Sequence, residues 1–409
     1  MKIAVWHNLP SGGGKRALFQ HLKGLLARGH HVEAWCPPTA DRTYLPLCGL
    51  VTEHVVAYEP PAAPHPPRPL GRYRQRRREF AALDAHCQRC AQEIDAGGFD
   101  VLFAGNCRQS AVAPIARHVR LPSLLYHQEP QRWLYEARPT LPWAALPDPD
   151  AGRSPLRRWK DTLRDYDTLR CVRFDAREER VSAAAFTVLL ANSAFSRESI
   201  LRAYGLDVKV CYLGIDAGMF QPGGVARERY AVSVGGIQTH KGIETVIAAL
   251  ATLPADRRPP LVWIGNVGDP DYQQTLGQLA TRSGVTMTMR NLVSDAELVD
   301  CLRRASVMIY APHLEPFGFA PLEANACGTP VVAVAEGGVR ETITHRVNGL
   351  LIPDRDPAAL GRAVLEILDE PKLGRRLGDA GAEIVRERWT WEASVDRLER
   401  HLHSLAGGA

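Results

Sequence analysis

Short runs of apolar and β-branched residues recur along this chain, and most are followed by a segment with helical periodicity. That alternation constrains the fold more than any other feature, because strands interleaved with helices build a parallel sheet covered on both faces. The first cycle predicts a strand over 3–6, a loop at 11–14 and an amphipathic helix over 15–28 stopped by Gly29. A second strand follows over 31–36, ended by Pro37 and Pro38. Further strands are expected at 51–57, 101–104, 123–126 and 186–191. A second series begins near Cys211, with strands at 229–234, 260–265, 285–289, 306–310 and 330–333. Helices are expected between them at 242–250, 272–283, 295–304 and 321–326. The expectation is therefore two Rossmann-like, doubly wound α/β domains, 1–210 and 211–389, with a C-terminal helix over 390–405 packing back on the first. Such domains hold ligands near the carboxyl ends of their strands, here in a cleft between the two.

The 409 residues are 45% hydrophobic and 23% charged, which suits a globular chain rather than a disordered one. No apolar run approaches the roughly 20 residues of a spanning helix. The start, Met1-Lys2-Ile3-Ala4-Val5-Trp6, turns polar at His7-Asn8 and reads as a buried strand rather than a signal peptide. Nine scattered cysteines form no disulfide framework, so the cytoplasm is the expected compartment. A net charge of +5 is small for a nucleic-acid binder of this length, and no nucleic-acid partner is expected. The charge is uneven, however. Residues 72–78 form a dense basic run after a proline cluster, either a solvated helix start or a landing surface for an anionic acceptor or a membrane, to which attachment would be peripheral. Segment 130–180, with its prolines and tryptophans, reads as a long loop and a helix.

The residues that carry chemistry cluster after the strand at 306–310. The stretch His313-Leu314-Glu315-Pro316-Phe317-Gly318-Phe319-Ala320-Pro321-Leu322-Glu323-Ala324 leaves a strand and opens a helix. Free N–H groups at a helix start bind phosphate through partial positive charge and direct hydrogen bonds. Glu315 and Glu323 flank the turn, and a carboxylate can accept hydroxyls of a sugar or a ribose. Two glutamates there could also serve only the helix dipole.

Their setting resembles the family 4 retaining glycosyltransferases of the GT-B fold, in which two glutamates with seven residues between them enclose a Pro-Phe-Gly turn. The likeness continues through Ala326-Cys327-Gly328-Thr329-Pro330, Gly337-Gly338-Val339-Arg340-Glu341 and Val347-Asn348-Gly349-Leu350, and back to Gly214-Ile215-Asp216. It implies that Glu315 faces the transferred sugar and Glu323 the ribose hydroxyls, with Phe317, Gly318 and Phe319 on the donor. The loop Gly235-Gly236-Ile237-Gln238-Thr239-His240-Lys241-Gly242 matches the family's diphosphate site, which assigns Lys241 to the phosphates. An arginine is expected where this chain has Gly236, so one charge-assisted contact, worth roughly 1.5–3 kcal/mol, is missing or supplied by another cation. Lys15, Arg16 and Arg340 are the candidates, and one reaching in from the first domain is expected. The base is expected beside Val293.

In the first domain, Gly12-Gly13 before a helix fits the family's N-terminal pattern, and glycine there lets a phosphate or acceptor approach the backbone. Lys15 and Arg16 lie in the first helical turn, where positive charge opposes the dipole, and are read as grips for an anionic acceptor or as solvated lysine and arginine. His127, at a strand end, is similar to the family's cleft histidine that touches the sugar, and Glu129 is a weaker acceptor contact. Asp148, Asp150, Asp354 and Asp356 resemble metal-binding pairs only superficially, since they sit in proline-containing loops. Cys87 and Cys90 share one helix and lack a second pair for zinc. The sequence thus predicts metal-free, cofactor-free, retaining transfer from a nucleotide diphosphate sugar, UDP-sugars favoured over GDP-sugars, to an acceptor it does not name. A non-catalytic nucleotide-sugar-binding subunit and a sugar-nucleotide epimerase of the same fold are the alternatives.

Overall fold

A computed structural model describes residues 1–62, 71–135, 154–265 and 268–407. The chain divides into two compact units, residues 1–192 with 196–211 and 395–409, and residues 193–195 with 212–394. In the first unit the order is β1 (Lys2–Asn8), α1 (Gly13–Ala27), β2 (His31–Cys36), β3 (Thr52–Val55), α2 (Arg72–Ala96), β4 (Val101–Cys107) and β5 (Ser123–His127). It continues with α3 (Arg132–Tyr135), α4 (Pro155–Ala184), β6 (Val188–Ala191), α5 (Ala194–Tyr204) and β7 (Lys209–Val210). The seven strands are ordered β3-β2-β1-β4-β5-β6-β7, and every pair is parallel.

The second unit begins with β8 (Glu228–Val234), α6 (Ile243–Ala251), β9 (Leu261–Gly265), α7 (Pro270–Arg282), β10 (Met287–Asn291), α8 (Asp295–Arg304) and β11 (Ala305–Tyr310). After these come α9 (Phe319–Ala326), β12 (Val331–Val334), α10 (Val339–Thr342), β13 (Gly349–Ile352), α11 (Pro357–Asp369), α12 (Pro371–Arg388) and α13 (Trp391–Ala406), whose last turns belong to the first unit. Its six parallel strands run β10-β9-β8-β11-β12-β13.

Local chemistry explains many of these boundaries. Ser294 and Glu297 form a reciprocal capping box at the start of α8, and Asp269 and Asp356 cap α7 and α11. Asp356 is therefore a helix cap; Asp148 and Asp150 lie outside the described residues. The inner strands are apolar on both faces because helices cover both, as parallel sheets require, whereas the edge strands β3 and β10 are polar and partly exposed. Trp6, Leu102 and Leu125 anchor one core, and Val307, Ile309 and Val332 the other. Cys87 and Cys90 are both buried on α2, where burial pushes the Cys90 thiol up to about 12. The basic run at 72–78 forms the first two turns of that helix.

Candidate active site

In each sheet the strand order reverses once, between β1 and β4 in the first unit and between β8 and β11 in the second. Loops leaving two adjacent strands in opposite directions open a crevice at that switch point, beyond the carboxyl ends of the strands. Both candidate sites lie there.

In the second unit, the loop after β8 carries Gly236 and Lys241, and the loop after β11 carries Glu315. Gly242 ends the first loop at φ 71°, and a Cβ there would run into the Ala311 carbonyl oxygen, so only glycine lets the two loops meet. The His313 N–H donates to the His240 carbonyl at 2.7 Å. Lys241 Nζ and Glu315 Oε2 then pair at 2.7 Å, with side chains 21% and 17% exposed. The sequence placed each of these residues on the donor, and the structure joins them to each other. Behind Glu315 the chain turns through Gly318 (φ 88°) into α9, whose start has no side-chain cap. A helix start without such a cap can present its first N–H groups to an anion. Phe317 is buried and Phe319 is the first residue of α9. Glu323 is buried one turn into the same helix. Val293 is half-buried between β10 and α8, at the same edge of the sheet. A Cβ at Gly236 would meet nothing closer than the Gln238 side chain at 3.8 Å.

The Glu315 loop is braced by residues that sequence reasoning did not single out. Arg355 Nε donates to Glu336 Oε1 at 2.7 Å, its Nη1 to the Ala311 carbonyl at 2.7 Å, and its Nη2 to the Pro312 carbonyl. Glu336 in turn accepts the N–H of Leu314 at 3.2 Å. Burial alone would raise the Glu336 carboxyl; Arg355 and the Leu314 N–H outweigh it and hold the pKa below the ordinary range. Leu314 sits at φ 46°, a conformation that costs a non-glycine residue about 1 kcal/mol or more. No local sequence signal marks Arg355, because its partners are 19 to 44 residues away.

In the first unit a cavity of about 680 Å³ opens at the switch point. It is lined by Gly12 to Gly14 at the start of α1, by Asn106 at the end of β4 and Arg108 just after it, by Arg132 and Trp133 of α3, and by Arg76 of α2. Gly13 is exposed at the start of α1, which again has no side-chain cap. Glu129 lines the cavity, paired with Arg132 at 2.6 Å. Arg76 is held by Asp175 at 2.7 Å and by the Gln109 carbonyl at 2.8 Å. Arg16 lies nearby in sequence but donates to the Tyr44 hydroxyl at 3.2 Å and is not in the lining.

Two expectations need correction. Lys15 does not reach an acceptor. It occupies the inner stripe of α1 with Leu18, Leu22 and Leu25, so its side chain is fully buried, and burial pulls its pKa below the ordinary lysine value. His127 does not face open space either. Its ring is fully buried at the end of β5, with Nε2 3.1 Å from the Tyr204 hydroxyl, and burial holds its pKa at about 3. As it stands, the ring is a neutral packing partner of Tyr204 rather than a group in contact with a sugar.

Residues 217–384 match the family described as "Glycosyl transferases group 1". The chain is 35% identical over 244 residues to a D-inositol 3-phosphate glycosyltransferase of Geodermatophilus obscurus, covering 54% of this chain and 53% of that protein. It is 33% identical over 240 residues to the protein of that name from Xylanimonas cellulosilytica, covering 53% and 57%. The chain thus spans about half the length of the curated relatives it matches. Among solved structures, Anabaena HepE in complex with UDP-glucose aligns over 99% of this chain and all of that one, with a TM-score of 0.73 and 20% identity. Sucrose-phosphate synthase from Thermosynechococcus elongatus aligns over the full length of both, with a TM-score of 0.71 and 19% identity. These likenesses show the fold, GT-B with its two parallel-sheet domains. Among the described residues no helix is long and apolar enough to cross a membrane.

Proposed function

We propose that this chain, whose residues 217–384 match the family described as "Glycosyl transferases group 1", moves a sugar from a nucleotide diphosphate onto a hydroxyl-bearing acceptor, retaining configuration and using no metal. The observation that carries this reading is the Lys241–Glu315 pair at the β8/β11 switch point, set against the uncapped start of α9. Breaking the glycosidic bond puts negative charge on the departing diphosphate, and donors already aimed at that charge lower the barrier. Lys241 and the α9 N–H groups are such donors. On donor arrival Lys241 exchanges the Glu315 carboxylate for phosphate, and Glu315, released, accepts hydroxyls of the transferred sugar. Glu323 holds the ribose and the Val293 turn meets the base. UDP is favoured over GDP; the complex of HepE with UDP-glucose supports this choice.

The acceptor belongs to the cavity of the first unit. Three guanidinium groups in its lining, with the amides of Asn106 and Gln128, suit a phosphorylated, hydroxyl-rich molecule. Relatives named for D-inositol 3-phosphate support a polyol phosphate of that kind. The test is to mix the purified protein with UDP-glucose or another nucleotide sugar in EDTA and follow its melting temperature. A ligand that binds only the folded state raises it. Transfer is then sought with inositol phosphate. A melting temperature that moves with no nucleotide sugar, or moves only when metal is present, sinks the donor site. Donor consumption without any acceptor would favour the epimerase alternative instead.

A further inference from the structure

The most unusual surface of the first unit is α4. A helix lying on a domain normally turns its apolar residues inward and its charges outward. Here Asp167, Asp175 and Glu179 are buried. Asp167 accepts the Arg72 N–H at 2.9 Å, and Asp175 pairs with Arg76 at 2.7 Å, both against α2. The outward side instead carries Leu156, Trp159, Tyr166 and Leu169, exposed by 72%, 61%, 56% and 41%. Their spacing places them on one face, within about 140° of arc at 100° per residue. Arg173 and Arg177, both exposed, fall within the same arc farther along the helix, whereas exposed Arg157, Lys160 and Arg164 lie on the side that carries the buried acids in later turns. Asp165 borders the stripe on its other edge. The α2 start adds exposed Arg72, Arg74, Arg77 and Arg78 beside the middle of α4.

We propose that this face docks the protein on an anionic membrane surface, with Trp159, Tyr166 and their leucine neighbours sunk to headgroup depth and the arginines on lipid phosphates. Trp and Tyr are the side chains that prefer the membrane–water interface, and basic residues around an apolar stripe mark helices that lie in it. Charge complementarity selects anionic lipid over zwitterionic lipid, and the mixture of aromatic and aliphatic side chains selects a bilayer over a purely ionic partner. The proposal stands on the described surface alone and does not rest on the assigned reaction.

The full-length chain is sedimented with vesicles of phosphatidylcholine alone and of phosphatidylcholine mixed with phosphatidylglycerol. Binding to the mixed vesicles only, weakened by added salt, is the expected result. Removing Arg173 and Arg177 together (each →Ala) should lower partitioning on the order of twenty-fivefold, at about fivefold for each basic side chain. Trp159→Ala with Tyr166→Ala should also lower it, while the melting temperature of both variants stays at the parent value because all four side chains are exposed. Equal binding to the two vesicle types, or parent-like binding by both variants, overturns the proposal. So does a self-association that both variants abolish in a chain that ignores vesicles, which would give the face to a second copy.

Discussion

Glu315 and Glu323 lie eight positions apart and do different work. Glu315 is partly open and already holds Lys241, whereas Glu323 is buried inside α9. Glu323→Ala should therefore weaken donor binding by roughly tenfold or more for one charge-assisted contact, seen as a raised KM. Glu315→Ala should lower kcat, since its partner is the reacting sugar. Unchanged kinetics in both variants would remove these assignments. Gly236 poses the second question at this scale, namely which cation replaces the expected arginine. Lys15 is withdrawn by its burial. Arg340 is the better candidate: it is exposed, and its Nε donates to the carbonyl of Gly337 at 3.3 Å. A Cβ on Gly337 would collide with the Glu315 backbone, so Arg340 hangs from the residue packed against the site. Arg340→Ala should then weaken nucleoside diphosphate binding by about tenfold, and Gly236→Arg should restore it in that background. In the parent, Gly236→Arg should leave affinity unchanged or lower, because the new guanidinium meets like charge. Calorimetry at fixed salt decides it, and a clear gain in the parent background would mean that no other cation fills the place.

Three elements of the first unit are joined by one buried chain of polar contacts. His127 of β5 touches the Tyr204 hydroxyl of α5, which donates to Glu179 of α4 at 3.2 Å. Burial raises the Glu179 carboxyl to about 7 and lowers His127 to about 3. The two shifts act on stability in opposite directions. Glu179 is raised above its unfolded value, so its contribution is full below about pH 4.5 and is lost as pH rises through 7. His127 is depressed, so its contribution is full above about pH 6.5 and is lost as pH falls toward 3. Glu179→Gln keeps an acceptor for Tyr204 and removes the alkaline loss. It should be more stable than the parent at pH 8, on the order of 2–3 kcal/mol, and equal to it at pH 4. Urea midpoints at the two pH values test this, and a variant weaker than the parent at pH 8 would show that the carboxylate is favourably ionised in the fold. None of this network was legible in the sequence. The strand at β5 was, because its apolar run is self-evident, but contacts of 25 and 77 residues' separation leave no local pattern.

At the scale of the whole chain, the alternation of strand and helix was enough to read two parallel-sheet domains, since each strand announces itself by an apolar run of its own. β7 (two residues) and β13 (Gly-Leu-Leu-Ile) were missed because so short a run carries no periodicity, and α11 and α12 went unassigned behind them. The donor loop was legible because its glycines and glutamates are contiguous. The first-unit cavity was not, because its arginines come from α2, from just after β4 and from α3. The C-terminal helix was expected to fold back on the first domain, and residues 395–409 are counted with the first unit. Its inner side chains Val395, Leu398 and Leu402 are buried, and Val395 packs so closely on α1 that a Cβ at Gly24 would overlap it. Arg28 adds an ion pair to Glu399 at 3.1 Å, and His30 Nε2 lies within hydrogen-bond distance of the same carboxylate at 2.6 Å. Each buried aliphatic side chain is worth about 1.5–3 kcal/mol, so three together approach the whole stability of a typical domain. Ending the chain after Ser394 should therefore loosen the first unit selectively. Hydrogen exchange followed by mass spectrometry should show faster exchange in β1, β2 and α1, while β8, β11 and β12 keep their protection and nucleotide binding survives. Equal loss of protection in both units would mean that they unfold as one, and no loss at all would mean that the last helix contributes nothing to the core it covers.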